Sequence, residues 1–576
     1  MARNPVQRCP EWRRIDALPR RAPPSIDAAT IATLSAALLR PGATGALFPI
    51  QSAALLSIAE TGGLLGPIQV GEGKTLISFL AGTVLGAARP VLLVPAKLRE
   101  KTVREYVAAH RTWLVHPRLL VDSYEMQSRA DHAKRLADHA PDVLILDEAH
   151  RLKNPRAAVT RRVARYLRER SAAGDPVRVI VLSGTLIRGT VRDAAELSSW
   201  ALAEGSPLPR TYHALEAWDY VLDQRRPPEE DVRREAGALA GWATGTAVDE
   251  LRDGVRRRII ETPGVIASLS TGPAASLVLE AWTPAPPAIL TDAIADLQRS
   301  GALPDGRDVE DPLRMVAALN TLALGFWYRW RVLPPSRWAH TRRLWAKFVR
   351  AVCARGEHDS VEEVARACRA GSIKVPTCGA LLRQLDGGAG DAAYSPARWD
   401  VDHDAPIGQA WHDVRPTFEP ETEAVWLTDT VARAAVAWAQ ETGGIVWTRH
   451  AAFGRVLERL GLPYYGARGG REGVPIEDAQ GPCAASIASN SEGRNLQRWA
   501  YSLHTDLRTG KASAAECEQL IARTHRTGQT ADTVTIAVYL SHAHQTGALD
   551  STMNGAAFLA RLTGQQQKIL IADRTF

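Results

Sequence analysis

No run of about 18 apolar residues occurs in this 576-residue chain, which excludes a membrane-spanning helix. Cysteine is scarce. The six are Cys9, Cys353, Cys368, Cys378, Cys483 and Cys517, and no two stand at C-x-x-C spacing. Scattered free thiols in a reducing compartment are therefore expected, rather than a disulfide framework or a zinc site. The N-terminus carries Arg3, Arg8, Arg13 and Arg14 but no apolar core, so it does not read as a secretory signal, and a cytoplasmic protein is expected. Charge of one sign does not dominate either. A net charge of +7 permits an acidic partner such as nucleic acid without demanding one. The length exceeds what one hydrophobic core supports, and about two to four domains are expected.

Against these absences stands one dense stretch, Gly66-Pro67-Ile68-Gln69-Val70-Gly71-Glu72-Gly73-Lys74-Thr75. An apolar run, Gly63-Leu64-Leu65, precedes it as a candidate buried strand, and Leu76–Leu80 follows as a candidate helix start. Strand, Gly-rich turn and helix carrying Gly-Lys-Thr make the phosphate-binding loop of an NTPase. Gly71 and Gly73 allow the tight turn that aims backbone N–H groups at phosphate oxygens. The helix N-terminus adds partial positive charge. Lys74 is expected to reach the β- and γ-phosphates and Thr75 to bind Mg²⁺. One departure is Ile68, which stands where the pattern has Gly. A plain Gly-rich turn is the alternative for this string taken alone. Upstream, Gln51 in Leu47-Phe48-Pro49-Ile50-Gln51 is a candidate for the adenine edge, with a surface Gln before a helix as the alternative.

Short Val/Leu/Ile runs then alternate with helical stretches: Pro90–Pro95, Leu119–Ser123, Val143–Asp147 and Val177–Ser183. That alternation predicts a parallel sheet covered on both faces, with ligand residues at the carboxyl ends of the strands. Lys97, Ser123-Tyr124, Asp147-Glu148 and Ser183-Gly184-Thr185 occupy those ends. Val143-Leu144-Ile145-Leu146 running into Asp147-Glu148 is the second NTPase signature. Asp147 is expected to hold Mg²⁺, and Glu148 to polarise the attacking water. A strand ending at a solvated acidic turn is the alternative.

The centre of the chain changes character. Strand-like runs become scarce over 282–425, and Trp becomes frequent. The segment 326–350 holds Trp327, Trp330, Trp338 and Trp345 with Arg329, Arg331, Arg337, Arg342, Arg343 and Lys347, and no acid. Arg342 and Arg343 are candidates for nucleic-acid contact. Equally, the Trp residues could pack inward from one helix face while the Arg residues stay solvated. Leu385–Ser395 reads as a loop or linker. Asp400, Asp402 and Asp404 alternate as in a calcium loop, but Ala405 and Trp411 replace the required Gly and Glu, so an acidic surface loop is expected.

A second alternating region begins near Leu427, with candidate strands Gly444–Thr448, Ala484–Ala488, Ala500–His504 and Thr533–Leu540, and no phosphate loop. It carries Arg523 and Arg526, three apart, so that on a helix they would share a face and suit a distributed negative charge. An exposed basic helix end is the bland reading.

Taken together these residues resemble the superfamily 2 helicase-like ATPases, and within them the Swi/Snf-type DNA translocases. Asp147-Glu148-Ala149-His150-Arg151-Leu152-Lys153-Asn154 resembles that group's second motif, Ser183-Gly184-Thr185-Leu186 its third, and His525-Arg526-Thr527-Gly528-Gln529 its sixth. Lys97, Ser123, Thr448, Arg449 and Asn495 fall where the family places nucleic-acid and coupling motifs. The likeness covers about 47–190 and 440–540, and its compactness is most similar to phage-encoded members. Glu492-Gly493-Arg494-Asn495-Leu496 matches the fifth motif weakly.

The resemblance implies an α/β fold of two RecA-like lobes, each a mostly parallel sheet covered by helices. A largely helical insertion separates the matching regions. The expected divisions are a basic extension at 1–45, the ATP-binding lobe at 46–281, the insertion at 282–425, the second lobe at 426–545 and a helical tail at 546–576. The first lobe would bring Gln51, Gly71, Gly73, Lys74, Thr75, Asp147 and Glu148 to ATP and Mg²⁺, and the second Arg523 and Arg526. The implied activity is ATP-driven movement on duplex DNA in phage replication, recombination or repair, with replication or recombination proteins as possible partners. A strand-separating DNA or RNA helicase is an alternative, as is a nucleic-acid-binding scaffold without hydrolysis.

Overall fold

The computed structural model describes residues 10–575 except 23–25, 70, 129–131, 133, 156, 185, 188–189, 223–237, 269–274, 308, 310–311, 355–360, 384–398, 420, 468, 471–472, 508–512 and 527. Arg3, Arg8, Cys9, Val70, Thr185, Thr527 and the expected linker Leu385–Ser395 therefore lie outside the described residues.

The chain is a mixed α/β protein with two parallel sheets covered by helices, as the alternating apolar runs predict. The first sheet contains β1 (Leu64–Gly66), β2 (Pro90–Val94), β3 (Leu120–Ser123), β4 (Val143–Asp147) and β5 (Arg178–Leu182), in the order β1-β5-β4-β2-β3. Every neighbouring pair is parallel. Successive side chains of a strand point to opposite faces. Here both faces are covered, so alternate residues serve two cores. Leu144 and Leu146 join Val91, Leu93, Val179 and Val181 on one side. Val143 and Ile145 join Leu92, Val94, Ile180 and Leu182 on the other. A continuous apolar run is the sequence form of such a strand.

The second sheet takes β6 (Ser276–Trp282), β9 (Ile445–Thr448), β10 (Tyr464–Tyr465), β11 (Cys483–Ser486), β12 (Tyr501–His504), β13 (Thr533–Tyr539) and β14 (Asp573–Arg574), in the order β10-β11-β9-β12-β13-β6-β14. β6 pairs with β13 along its whole length, from Ser276↔Thr533 to Trp282↔Tyr539. The second lobe therefore begins at the strand before the insertion. This moves the boundary expected at 281 back to about 275, just before β6 starts at Ser276. Only pairing across more than 250 positions of chain (533 − 276 = 257) identifies this strand's sheet, so no local pattern reveals it.

The insertion leaves and rejoins the second lobe through an antiparallel pair, β7 (Phe326–Trp330) and β8 (Thr422–Trp426). Trp327 and Trp330 therefore sit on a strand, not on the helix face that the packing alternative supposes. Trp338 and Trp345 do lie on a helix, Ser336–Ala354, and both are buried. That helix packs with Val364, Leu382 and Ile407 into a separate small core. Asp402 Oδ1 accepts from the N–H groups of Asp404 and Ala405, each at 3.2 Å, so the alternating acids form a turn.

The first helix of the described residues and the last long one are both packed against the lobes. The Pro10–Asp16 helix, within the expected basic extension, buries Ile15 completely and stacks Trp12 on Trp242 at 5.9 Å. Arg258 donates to the carbonyls of Ile15 and Leu18 beneath it. At the other end the Ala543–Thr563 helix lies between the lobes. Leu549, Ala556 and Leu559 share one core with Leu251 and Val255 of the first-lobe helix Val248–Ile260. Arg561 ion-pairs with Asp249, and the Arg252 guanidinium lies 4.8 Å from the Phe558 ring centre.

Candidate nucleotide cleft between the lobes

The turn after β1 needs its glycines. Gly71 and Gly73 hold φ of 98° and 78°, in the left-handed region that side chains disfavour. A Cβ added to Gly73 would also lie 2.0 Å from Gln51 Nε2. Gln51 is bound to the loop at both ends of its amide: Oε1 accepts from Phe48 N at 2.8 Å and Nε2 donates to Gly73 O at 3.1 Å. It thus shapes the loop. Lys74 opens the Lys74–Val84 helix and is buried. Its Nζ donates to Ile68 O at 3.0 Å and Gln69 O at 3.2 Å. Ile68 gives the loop its carbonyl and turns its fully buried side chain into the core with Leu64 and Ile77. The departure from glycine thus sits on the far side of the loop backbone from Lys74.

β4 delivers the carboxylates. Asp147 ends the strand, and Glu148 follows in the left-handed region at φ 52°, its N–H bonded to Asp147 Oδ1 at 3.0 Å. Tyr124 donates its hydroxyl to Asp147 O at 2.7 Å and fixes the strand end. Burial, with the Glu148 charge beside it, pushes Asp147 up to about 7. Burial acts on Glu148 in the same direction, but its contact with His150 and the Lys74 charge outweigh it and hold Glu148 low, at about 2. Glu148 Oε2 is buried without a well-formed hydrogen bond. Two adjacent carboxylates, Glu148 buried and Asp147 half-buried, with like charges side by side, are an environment that a hard divalent cation relieves. Asp147 offers a carboxylate of the kind Mg²⁺ takes, although among the described residues no group of three or more His, Cys, Asp or Glu side chains gathers to hold a metal ion.

The second lobe faces this loop with arginines. Arg523 lies in the last turn of the Ser513–Thr524 helix, only 2% exposed. It donates from Nε to Gln519 O at 3.0 Å and from Nη1 to Arg494 O at 3.3 Å. Burial pulls its pKa down to about 10, against the opposing pull of Glu148. Arg526 lies past the helix end, so the two do not share a helix face as their spacing predicts. They converge because both reach back to the same carbonyl, Arg494 O, with Arg526 also on Asn495 Oδ1 at 2.7 Å. Arg526 Nε is buried without a hydrogen-bond partner, and a Cβ added at Gly71 would meet it at 3.7 Å. Arg526 therefore flanks the phosphate loop.

The candidates for nucleic-acid contact separate. Lys97 lies in the seam between lobes, 3.3 Å from Glu492 Oε2. Asn495 is exposed beside Arg526. Ser123 is buried, its Oγ accepting from Met126 N at 3.2 Å. Thr448 is fully buried, its Oγ1 accepting from His450 N at 3.2 Å. Arg449 is held within the second lobe by Asp506 and Glu516, at 3.3 and 3.0 Å. Arg342 and Arg343 are exposed and far along the chain from the cleft, stacked over Trp338 and Trp399 at 5.2 and 5.5 Å. The acid-free run also meets acids in space, since Arg329 and Arg331 pair with Glu423 and Glu421 on or beside β8.

Two features had no local signal. The tail returns to the loop: Gln565 Nε2 donates to Pro67 O, and Gln69 Nε2 donates to Gln566 O at 3.1 Å. Glu492, inside the weakly matching fifth motif, gathers charges from the first lobe. A scan against protein-family models finds no match, and a search of curated proteins finds none at a significant level.

Proposed function

We propose that this chain is an ATP-dependent DNA translocase that hydrolyses ATP between its two lobes and moves along duplex DNA. One observation carries the reading: Arg526, from the second lobe, lies against the loop at Gly71 of the first, and the buried Arg523 beside it is near enough to feel the Glu148 charge. A loop with Lys74, a carboxylate pair and two arginines from a separate sheet is the set that phosphoryl transfer to water requires.

In this reading Lys74 and the loop N–H groups hold the phosphates. Thr75 and Asp147 would hold Mg²⁺, which would supply charge neutralisation on those phosphates. Glu148, ionised and with Oε2 lacking a well-formed hydrogen bond, takes the proton of the attacking water as its oxygen bonds to the γ-phosphorus and the bond to ADP breaks. Arg526 Nε, buried and unpartnered, is available to the charge that develops. The cation set exists only with the lobes together, so opening and closing of the seam links turnover to movement. Lys97 and Asn495, at that seam, support contact with a DNA backbone. Work in replication, recombination or repair, beside proteins of those processes, follows from the resemblance to phage-encoded translocases.

The test is the ATPase rate with no nucleic acid, single-stranded DNA, duplex DNA and RNA, with Lys74→Ala as the control. Stimulation greatest with duplex DNA supports the reading, and turnover indifferent to all nucleic acids counts against it.

A further inference from the structure

Glu492 is a second-lobe carboxylate surrounded by the first lobe. It is 7% exposed, and Arg151 Nη2 lies 2.6 Å from its Oε2, with Lys97 Nζ 3.3 Å from the same atom. Its Oε1 faces His150 Nε2 at 3.7 Å. The other ring nitrogen, His150 Nδ1, lies 3.0 Å from Ser183 Oγ and 3.4 Å from Glu148 Oε2. A chain of side chains, Glu492–His150–Glu148, therefore crosses the seam and ends on the proposed base. Burial raises the Glu492 pKa, but His150, Lys97 and Arg151 outweigh it and keep the carboxylate ionised.

The backbone here is built for close approach. Gly493 has φ of 67°, and a Cβ on it would lie 2.1 Å from Leu98 of the first lobe. Lys101 donates to the Gly493 carbonyl. Glu492 is thus carried on a segment seated against the first lobe, where a one-carbon bulge would push it away.

We propose that Glu492 is a positioning residue that acts through His150 to set the Glu148 carboxylate when the second lobe is docked. The role rests on the ATP-hydrolysis reading. The Glu492 charge, 3.7 Å from the buried Nε2 and beyond hydrogen-bond range, favours the ring orientation in which Nδ1 meets Ser183 and Glu148. With the second lobe away, Glu492 is removed, and His150 and Glu148 lose that restraint together. The seam thereby reports its closure to the base. A residue serving only to clamp the lobes would act through Lys97 and Arg151 and leave His150 indifferent.

The experiment has two arms on the full chain. In the first, Glu492→Gln, His150→Ala and the double variant are assayed for ATP turnover with duplex DNA. The expected result is a fall in kcat of about tenfold or more with KM little changed, the double variant being no worse than the worse single one. Glu492→Asp should recover part of the loss. In the second arm, which needs no turnover, the His150 ring signal is followed by NMR of histidine-labelled protein and assigned by its loss in His150→Ala. It should move in Glu492→Gln. An unmoved signal, or losses that simply add, overturns the proposal. A moved signal in a protein whose turnover does not depend on Lys74 overturns the hydrolysis reading instead, and the positioning role with it.

Discussion

Ile68 stands where a phosphate loop has glycine, and the reason lies in which way it faces. The side chain fills the core with Leu64 and Ile77, while the carbonyl receives Lys74. Ile68→Gly, although it completes the pattern, should therefore destabilise the protein by about 3–5 kcal/mol, read from chemical denaturation. It should bring no gain in ATP affinity, and a tighter nucleotide Kd in a folded variant would reverse this account. On the proposed reading, Glu148 and Lys74 divide binding from chemistry. Lys74→Ala removes the loop's buried ammonium and should abolish both ATP binding and turnover. Glu148→Gln keeps the shape and should leave Kd within a few-fold while turnover is lost, because the amide cannot take a proton. Wild-type turnover in Glu148→Gln would move the base elsewhere. The tight turn at Gly71 and Gly73 was legible in the chain because a left-handed backbone leaves few substitutes for glycine. The burial of Ser123 and Thr448 was not, since a hydroxyl at a strand end reads the same whether it faces a groove or caps a turn.

At the scale of elements, the interior strands of both sheets announce themselves as short apolar runs, because a strand covered on both faces tolerates little else. Five strands escaped that logic, among them β8, whose Thr-Glu-Ala-Val-Trp holds no apolar run long enough to stand out. β6 looks like an ordinary strand but belongs to a sheet whose other members lie beyond the insertion. β10 and β14 have two residues each, too few for any period. β7 carries Trp327 and Trp330 among arginines, a mixture that suits a helix face as well as a two-stranded ribbon. The Ser336–Ala354 helix resolves half of the ambiguity in the basic–aromatic run. Trp338 and Trp345 pack inward, so base stacking on them is ruled out in this arrangement. Arg342 and Arg343 remain exposed, their guanidinium groups laid on Trp338 and Trp399. Their interaction with DNA would be with phosphate alone. Replacing both with Ala should weaken DNA binding and lower the salt slope by about one unit for each phosphate left without its cation, with no change in sequence preference. Equal slopes for the folded variant and wild type would assign the helix to the packing of the insertion only.

At the scale of the whole molecule, the lobes are joined by more than the cleft beside the Gly71–Gly73 turn. The Ala543–Thr563 helix shares a core with Val248–Ile260, and Gln565 reaches the loop itself at Pro67. Opening of the seam is therefore limited by a packed helix and expected to be a small hinge or shear rather than a full separation. Small steps suit a motor that grips one duplex backbone and advances along it without parting the bases. Strand separation needs a rigid element driven between the strands. The insertion meets the second lobe through the β7–β8 ribbon, whose aromatic residue Phe326 packs against Trp426 at 4.7 Å and is fully buried, so that ribbon offers no exposed wedge from this residue. The expected outcome is ATP-dependent displacement of a third strand from a DNA triplex, with little unwinding of a forked duplex. Lys74→Ala should abolish the displacement, since the energy for each step comes from the cleft. The assay is gel separation of a labelled third strand and, in parallel, of a labelled fork strand. Efficient release of the fork strand with the triplex intact would replace the translocase by a strand-separating helicase.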